Sequence, residues 1–298
     1  MTSQGTKQGK VISFINMKGG VGKTTLCIGI GEYLANFKGK KVLFIDLDPQ
    51  FNSTQSLMDL TDNEENYMSD FRHRITVRKI FEDTKTISER PRTPKKEEVI
   101  LQFKEQPNID LICGTIDIIK DDTSNKSLFK RLKKFITEHN LKEIYDYIFI
   151  DCPPTISFYT DAALFASDYF LVPAKVDRYS ILGVKMLKTV IDNLMYDEDI
   201  HIKPLGIIYT MGKTPETKKT GEIRLRFESD PDVASLGIFQ NSTTLVNDLM
   251  VGYQGNISSK YQRSLEDIEK VTNEFLFRLT EEKIVEDDTC EQHSQQTT

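Results

Sequence analysis

Short apolar runs alternate with amphipathic stretches along most of the chain. The apolar runs occupy residues 11–15, 42–45, 109–112, 147–150, 169–172 and 205–209. Runs of this length without polar alternation are typical of strands that are buried on both faces. Between most of them, apolar residues recur at helical spacing, at residues 24–37, 127–138, 181–195 and 218–227. The pattern predicts a doubly wound α/β domain, with a mainly parallel sheet and helices on both faces.

Two stretches depart from this alternation. Residues 61–106 are highly charged and contain two prolines, with weak helical character only at 77–81, so we interpret them as an insertion. Residues 281–298 are acidic and then rich in Gln, Ser and Thr, a composition that is typical of disorder. We therefore predict a flexible N-terminus at 1–9, one domain at 10–280 and a disordered tail at 281–298.

Composition narrows the class of protein. The 298 residues include 45 Asp or Glu and 39 Lys or Arg, a net charge of -6, and 38% are hydrophobic, as in ordinary soluble globular proteins. The acidic balance argues against a surface that coats nucleic acid, so DNA binding would need a local basic patch. The four cysteines lack Cys-x-x-Cys spacing, which indicates a reducing compartment and argues against a disulfide framework. Neither a membrane span nor a signal peptide is expected from the apolar runs.

A glycine-rich segment separates the first predicted strand from the first predicted helix. It consists of Lys18, Gly19, Gly20, Val21, Gly22, Lys23, Thr24 and Thr25. Glycines let backbone N–H groups approach phosphates closely, and a helix N-terminus adds a favourable partial positive charge. In such a loop, Lys23 would neutralise the β and γ phosphates, and the Thr24 hydroxyl would complete a Mg²⁺ coordination sphere. Thr25 can reach a further phosphate oxygen.

Three aspartates follow two of the apolar runs. Asp46 and Asp48 end the run at 42–45, and Asp151 ends the run at 147–150. An aspartate at the end of a strand is also a common turn former, so each one alone is ambiguous. Ligand sites of α/β proteins gather at the carboxyl ends of parallel strands, where Mg²⁺ needs carboxylates. The three together with the glycine-rich loop favour a magnesium site.

The loop departs from the plain phosphate-loop pattern, because Met17 stands where that pattern has glycine and Lys18 precedes the double glycine. It resembles the deviant Walker A loop of the ParA/MinD family of P-loop ATPases. Residues 44–50 resemble the second motif of that family, residues 147–154 resemble its Walker B segment, and the resemblance extends over about 11–279. It implies a P-loop fold in which Lys18 reaches across an ATP-sandwiched dimer to the nucleotide of the partner.

The resemblance also implies roles for other residues. Asp46 would support the magnesium site, Asp48 would hold the attacking water, and Asp151 would be bonded to Mg²⁺ through water. Thr210 and Met211 match the place where relatives line the adenine pocket. Residues 239–243 lie where relatives have a proline-containing loop, but this segment has no proline, which leaves the contacts to the base open.

Members of this family position DNA, place division proteins on membranes, or perform reductive or metallochaperone chemistry. The cysteines lack the paired pattern of the iron–sulfur relatives. A membrane helix would have to lie at residues 271–279, but acidic residues follow it, so we expect this segment to face the core. DNA phosphates could contact Lys213, Lys218, Lys219, Arg224, Arg226, Lys260 and Arg263, although such residues also form ordinary solvated faces. A second basic group comprises Arg72, Arg74, Arg78 and Lys79.

The resemblance thus implies a ParA-type DNA partition ATPase, which is cytoplasmic and is associated with the nucleoid in its ATP state. It would bind ATP and Mg²⁺, form an ATP-dependent homodimer and bind DNA nonspecifically. A ParB-like centromere-binding adaptor would stimulate hydrolysis to ADP and phosphate. The alternatives are a MinD-like membrane-positioning ATPase and a non-catalytic, nucleotide-gated DNA-binding adaptor.

Overall fold

The order of the strands within the sheet differs from their order in the chain, and it decides which strand ends lie side by side. The computed structural model describes residues 8–60, 76–82, 92–120, 126–213 and 215–295. Its strands are β1 (Lys10–Phe14), β2 (Val42–Asp46), β3 (Leu101–Gln102), β4 (Ile109–Ile112), β5 (Tyr147–Asp151), β6 (Tyr169–Ala174) and β7 (Lys203–Tyr209). They form one sheet in the order β3-β4-β2-β5-β1-β6-β7. Only the pairing of β3 with β4 is antiparallel among these strands.

Helices connect the strands. Those of eight residues or more, within the described ranges, are α1 (Lys23–Lys38), α2 (Asn52–Leu60), α3 (Arg131–Glu138), α4 (Phe158–Ala166), α5 (Ser180–Glu198), α6 (Lys218–Glu228) and α7 (Gln262–Gln295). Single helical turns occupy Arg78–Phe81, Leu141–Ile144, Pro231–Ala234 and Asn247–Met250, and 3₁₀ turns occupy Lys96–Glu98, Ile116–Lys120, Lys126–Lys130 and Ser258–Lys260. None of the helices in the described ranges has the length and apolar character of a membrane span.

The predicted doubly wound α/β fold is confirmed, and so are the six predicted strands and four predicted helices. The structure adds β3, α2 and α4. Of the predicted insertion, Leu101–Gln102 joins the edge of the sheet, while residues 61–75 and 83–91 lie outside the described residues, as does most of the N-terminus. The helix α7 continues to Gln295, which differs from the tail predicted at 281–298. Residues 281–295 contain neither Gly nor Pro, so nothing in that stretch ends the helix.

Alternation along the strands divides the core into two layers. Phe44 and Phe149 point to the face that α1 and α7 cover, where they pack in a cluster with Phe275. Ile45 and Ile150 belong to the cluster on the opposite face, which α3, α4 and α5 cover. Successive side chains of a strand point to opposite faces, so runs that are apolar at every position are needed to fill both layers.

The register of the central strands brings the functional residues together. Phe14 of β1 and Asp46 of β2 both pair with Asp151 of β5, from opposite sides. The three strands therefore end at one level, and the glycine-rich loop leaves β1 at that level. Asp46 and Asp151 are direct neighbours across the sheet. This crevice outside the carboxyl ends of parallel strands is where ligands of α/β proteins bind.

The close approach of α1 to the sheet gives a test of the packing. A Cβ atom added to Gly31 would overlap the Phe44 ring and lie 3.1 Å from Phe149 Cδ2, so we expect Gly31→Ala to lower the free energy of unfolding by about 2 kcal/mol. The matched control is Gly183→Ala on α5, where an added Cβ meets no atom within 4 Å. Chemical denaturation of both variants measures the difference; equal effects would contradict this packing.

Candidate functional site

The glycine-rich loop has the shape of an anion-binding loop. Gly22 stands at the N-cap of α1 with φ 81°, and Gly20 has φ 66°, a left-handed conformation that favours glycine. A Cβ added to Gly19 or Gly20 would meet nothing within 4 Å, so open space lies beside the loop. The loop leads directly into the first turn of α1. A helix N-terminus behind such a loop offers backbone N–H groups and a positive dipole end to phosphates.

Lys23 begins α1 and lies below this loop. Its side chain is buried, and Nζ donates to the carbonyl oxygen of Lys18 at 3.4 Å. Burial lowers the pKa of Lys23, while the nearby Asp151 and Asp48 carboxylates act in the opposite direction. The ammonium group is thus held between the loop backbone and the aspartates at the edge of the sheet.

The aspartates are buried and are held by hydroxyl groups. Asp151 Oδ2 accepts hydrogen bonds from Thr24 Oγ1 at 2.7 Å and from Ser53 Oγ at 2.6 Å. Asp46 Oδ2 accepts from the backbone N and from Oγ1 of Thr54, both at 2.8 Å. Asp46 Oδ1 accepts from the backbone N of Asp48 at 3.1 Å. These bonds orient the carboxylates without neutralising them.

The pKa values of these aspartates are all raised. Burial raises the pKa of Asp151 to about 6, and it raises the pKa of Asp48. Burial, and then the Asp151 charge, raise the pKa of Asp46 well above its usual range. The surrounding protein therefore disfavours the ionised forms of these carboxyl groups, and a bound cation would favour them. Perturbed pKa values of this kind are common at functional sites.

The side chains present fit a divalent cation bound together with phosphates. Asp151 Oδ1 is buried and has no hydrogen-bond partner among the described residues, an orphaned acceptor that needs an explanation. Among the described residues, no group of three or more His, Cys, Asp or Glu side chains makes a complete metal cage. Mg²⁺ does not need one, since it usually takes one or two carboxylates and completes its shell with phosphate oxygens and water. Thr24, Asp46 and Asp151 are the residues that would hold it.

Lys18 is held beside the loop by an aspartate that the sequence did not single out. Its Nζ forms an ion pair with Asp177 Oδ2, and its backbone N donates to Asn16 Oδ1 at 2.9 Å. Burial acts to raise the pKa of Asp177, but the hydrogen bonds from Lys18 and from the Tyr179 backbone outweigh it and lower the pKa. The Lys18 side chain thus lies at the surface next to the loop, within its own subunit.

The structure brings Thr210 and Met211 next to the glycine-rich loop. Thr210 Oγ1 donates to the carbonyl oxygen of Val21 at 2.6 Å. A Cβ added to Gly22 would lie 3.3 Å from Met211 Cε. Both residues line a cavity of about 220 Å³ that also contacts Thr25. A cavity that begins at the phosphate-binding loop and has an apolar wall is a suitable place for a nucleobase.

The loop at 239–243 has an arrangement that a proline could not adopt. The backbone N of Gln240 donates to Glu274 Oε1, and that of Asn241 donates to Glu274 Oε2, each at 2.9 Å. Proline has no N–H group, so Gln240 allows α7 to hold this loop. Thr243, at its end, lines the cavity beside Met211. The loop therefore stays next to the cavity although its sequence differs from the expected pattern.

The predicted DNA-binding residues lie in three different parts of the chain, the segment after β7, α6, and the start of α7 with the 3₁₀ turn before it. Arg263 Nε donates to Thr244 Oγ1 at 3.2 Å and lies 3.9 Å from Asp267 Oδ1, and Thr244 pairs with Gly212, the residue before Lys213. Arg224 is bound by Glu216 and Glu228. The remaining members are exposed, namely Lys218, Lys219, Arg226 and Lys260. Of the second basic group, Arg78 and Lys79 form part of a helical turn, and Arg72 and Arg74 lie outside the described residues.

Sequence reasoning missed the residues that orient the site. Ser53 and Thr54 of α2 hold Asp151 and Asp46, and Asp177 holds Lys18. The signal for the first two was available, because hydroxyl residues follow the second aspartate motif at the start of a helix. Within residues 271–279, Val271 and Phe275 are buried against the core, whereas Phe277 is exposed. Cys27, Cys113 and Cys152 are buried as well.

The parallel sheet, the glycine-rich loop before α1 and the aspartates at the ends of β2 and β5 together define a class, the P-loop nucleotide-binding proteins. Comparison with known proteins refines this class. The family model described as an AAA domain matches residues 9–203. The chromosome-partitioning ATPase Soj of Treponema pallidum is 31% identical over 215 residues, which covers 72% of this chain and 76% of that relative. The chain therefore belongs to the AAA-domain family of Soj/ParA partition ATPases.

Two further comparisons agree with this assignment. The sporulation initiation inhibitor protein Soj of Bacillus subtilis is 31% identical over 206 residues, 68% of this chain and 73% of that relative. Among solved structures, a putative plasmid partition protein of Borrelia burgdorferi B31 bound to AMPPNP superposes with a TM-score of 0.66. The superposition covers 91% of this chain and 100% of the Borrelia chain, at 20% sequence identity. This similarity supports the assignment of the fold.

The buried Asp151 predicts a pH dependence of the stability of the ligand-free protein. Burial raises its pKa to about 6, above the ~3.9 of an unfolded aspartate. The stability that this group contributes is therefore fully present below about pH 4 and is lost as the pH rises through about 6. Asp151→Asn keeps the shape of the side chain without its charge. As the pH rises from 5 to 7, the free energy of unfolding of this variant should therefore increase by about 1 kcal/mol relative to that of the wild type.

Urea unfolding of both proteins at pH 5, 6 and 7 measures this difference. The matched control is Asp192→Asn on the exposed face of α5, where Asp192 is paired with Lys188 at the surface and its removal has a small effect at every pH. A difference between Asp151→Asn and the wild type that stays constant across the three pH values would contradict the account.

Proposed function

We propose that this protein is a ParA-type partition ATPase, which binds Mg²⁺ and ATP, dimerises around the nucleotide and binds DNA nonspecifically. A ParB-like centromere-binding adaptor stimulates its hydrolysis of ATP to ADP and phosphate and so releases the DNA. In the ATP state the protein is associated with the nucleoid. Membership of the Soj/ParA family supports this proposal.

One observation supports the proposal most strongly. The buried Lys23, the unpartnered Oδ1 of Asp151 and the hydroxyl of Thr24 converge at the end of the glycine-rich loop. Phosphates alone would add negative charge beside carboxylates that are already uncompensated. A divalent cation bound together with the nucleotide would balance the charge of the phosphates and of the carboxylates. This combination of groups therefore fits Mg²⁺ and ATP better than a free anion.

The chain's own residues divide the chemistry among them. The loop backbone and Lys23 bind the phosphates and stabilise the charge that develops on them. Thr24, Asp46 and Asp151 would hold Mg²⁺, which would supply further neutralisation of the phosphate charge. Asp48 accepts a hydrogen bond from the Gln50 backbone through Oδ1 at 2.9 Å, and its other oxygen accepts none from the described residues, so it can orient the attacking water.

Lys18 links the nucleotide to dimerisation. In the single chain its ammonium group is paired with Asp177 at the surface beside the loop. A second subunit brings a γ phosphate of higher charge to the same place, and the lysine exchanges its carboxylate partner for that phosphate. Hydrolysis by the isolated protein is slow, because the adaptor supplies part of the transition-state stabilisation.

The exposed basic residues favour DNA over a membrane. Lys213 follows Gly212, which pairs with Thr244, and Arg263 donates to that threonine, so both basic residues are available to DNA phosphates on this side of the protein. The apolar residues of 271–279 that a membrane helix would need include the buried Val271 and Phe275. The membrane-positioning alternative therefore has less support.

Retention on random-sequence DNA tests the proposed function. We expect binding only with ATP and Mg²⁺ present, and a steep loss between 50 and 200 mM salt, because each phosphate contact releases counterions. Lys213→Ala combined with Arg263→Ala should weaken binding by about tenfold and flatten the salt dependence. The matched control is Lys188→Ala, whose lysine is paired with Asp192 on α5.

The outcomes separate the candidate functions. Retention that does not depend on ATP, or no retention at any salt concentration, would contradict the partition function. ATP-dependent flotation with anionic vesicles in place of DNA retention would instead indicate membrane positioning. ATP-dependent DNA binding without any phosphate release, with or without the adaptor, would indicate a nucleotide-gated adaptor that lacks catalysis.

A further inference from the structure

The start of α2 contacts the metal-binding edge through a serine. Ser53 is buried, with 1% of its surface exposed, and its Oγ donates to Asp151 Oδ2 at 2.6 Å. Thr24 Oγ1 donates to the same oxygen at 2.7 Å. Two hydroxyl groups from different helices thus converge on one oxygen of the carboxylate, and Oδ1 is left without a partner among the described residues.

This arrangement fixes the orientation of the Asp151 side chain. Rotation of the carboxylate would break both hydrogen bonds inside a buried site, where an unmade hydrogen bond is costly. Thr24 is itself needed as a ligand when nucleotide and cation bind. Ser53 belongs to neither the glycine-rich loop nor the strand of Asp151, so its bond can persist in both the empty and the loaded state.

Ser53 is also tied to Asp48 through a short, strained turn. Phe51 has φ 42°, which is unusual for a bulky residue, and its backbone N donates to the carbonyl oxygen of Asp48 at 2.8 Å. The next helical residues, Ser53 and Thr54, are fixed by Asp151 and Asp46. A turn in this conformation persists only when the groups on both sides of it are held.

We propose that Ser53 is a positioning residue for the Mg²⁺ site, which holds Asp151 with Oδ1 available to the cation and fixes the turn that leads back to Asp48. The inference rests on the proposed function, because it concerns binding of Mg²⁺ with ATP. Ser53 touches neither nucleotide nor cation. Ser53 affects how strongly nucleotide binding depends on the Mg²⁺ concentration. It does not affect the affinity of the loop for phosphates.

Titration of a fluorescent, non-hydrolysable ATP analogue over a series of Mg²⁺ concentrations tests this role. For Ser53→Ala we expect the Mg²⁺ concentration at half-maximal binding to rise about tenfold, the size expected for losing a hydrogen bond to a charged group. The affinity for the analogue in EDTA should stay within about twofold of the wild type. Ser53→Thr retains the hydroxyl group and should restore the Mg²⁺ dependence.

Two further variants keep the test clear. Ser56→Ala removes another buried serine of α2, which donates to neither Asp46 nor Asp151, and it should behave like the wild type. Ser53→Cys keeps nearly the same shape with a weaker donor, and it should fall between Ser53→Ala and the wild type. Unfolding curves of each variant establish that it is folded at the temperature of the titration.

Three results would overturn the inference. These are an unchanged Mg²⁺ dependence in Ser53→Ala, an equal loss of affinity in EDTA and in Mg²⁺, or an equal effect of Ser56→Ala. A failure of the proposed function would give a different result. The wild-type protein itself would then bind the analogue without any dependence on Mg²⁺, or it would not bind the analogue.

Discussion

Carboxylates buried side by side at the carboxyl edge of the sheet are the constraint on which the rest of the site depends. Parallel pairing sets Asp46 beside Asp151, and burial raises the pKa of both. Lys23 supplies positive charge next to them, but burial lowers its own pKa. The ligand-free fold therefore disfavours the ionised forms of these carboxyl groups, and a bound cation would favour them. Such an arrangement is costly for stability and is useful where a cation is to be bound.

The protein surrounds this charge with groups that orient it without removing it. Hydroxyl groups of Thr24, Ser53 and Thr54 donate to the two carboxylates, and a basic side chain at any of these positions would have neutralised them instead. Phosphates bound at the glycine-rich loop would add further negative charge. Nucleotide and divalent cation are thus expected to bind together, and each makes the site favourable for the other.

The sheet and the edge of the site could be predicted because both depend on short-range pattern. Residues 42–45 and 147–150 are apolar at every position, and their aspartates follow directly. The helix α2 was missed because NSTQSLMDL is mostly polar. Leu57 and Met58 do pack in the core, but they lie next to each other and show no helical repeat in so short a segment. The pairing of Lys18 with Asp177 joins residues 159 apart in the chain, which no local pattern reveals. The extent of α7 could not be read from composition, since an acidic stretch without Gly or Pro is compatible with a continuing helix.

The central claim is that the buried carboxylates make nucleotide binding depend on a divalent cation. Thermal unfolding of the wild-type protein at pH 7.5 tests it most directly, with no ligand, with ATP and EDTA, and with ATP and Mg²⁺. A ligand that binds the folded state raises the unfolding temperature in proportion to its binding free energy. The account predicts a much larger rise with ATP and Mg²⁺ than with ATP and EDTA. Equal rises in the two conditions would contradict it.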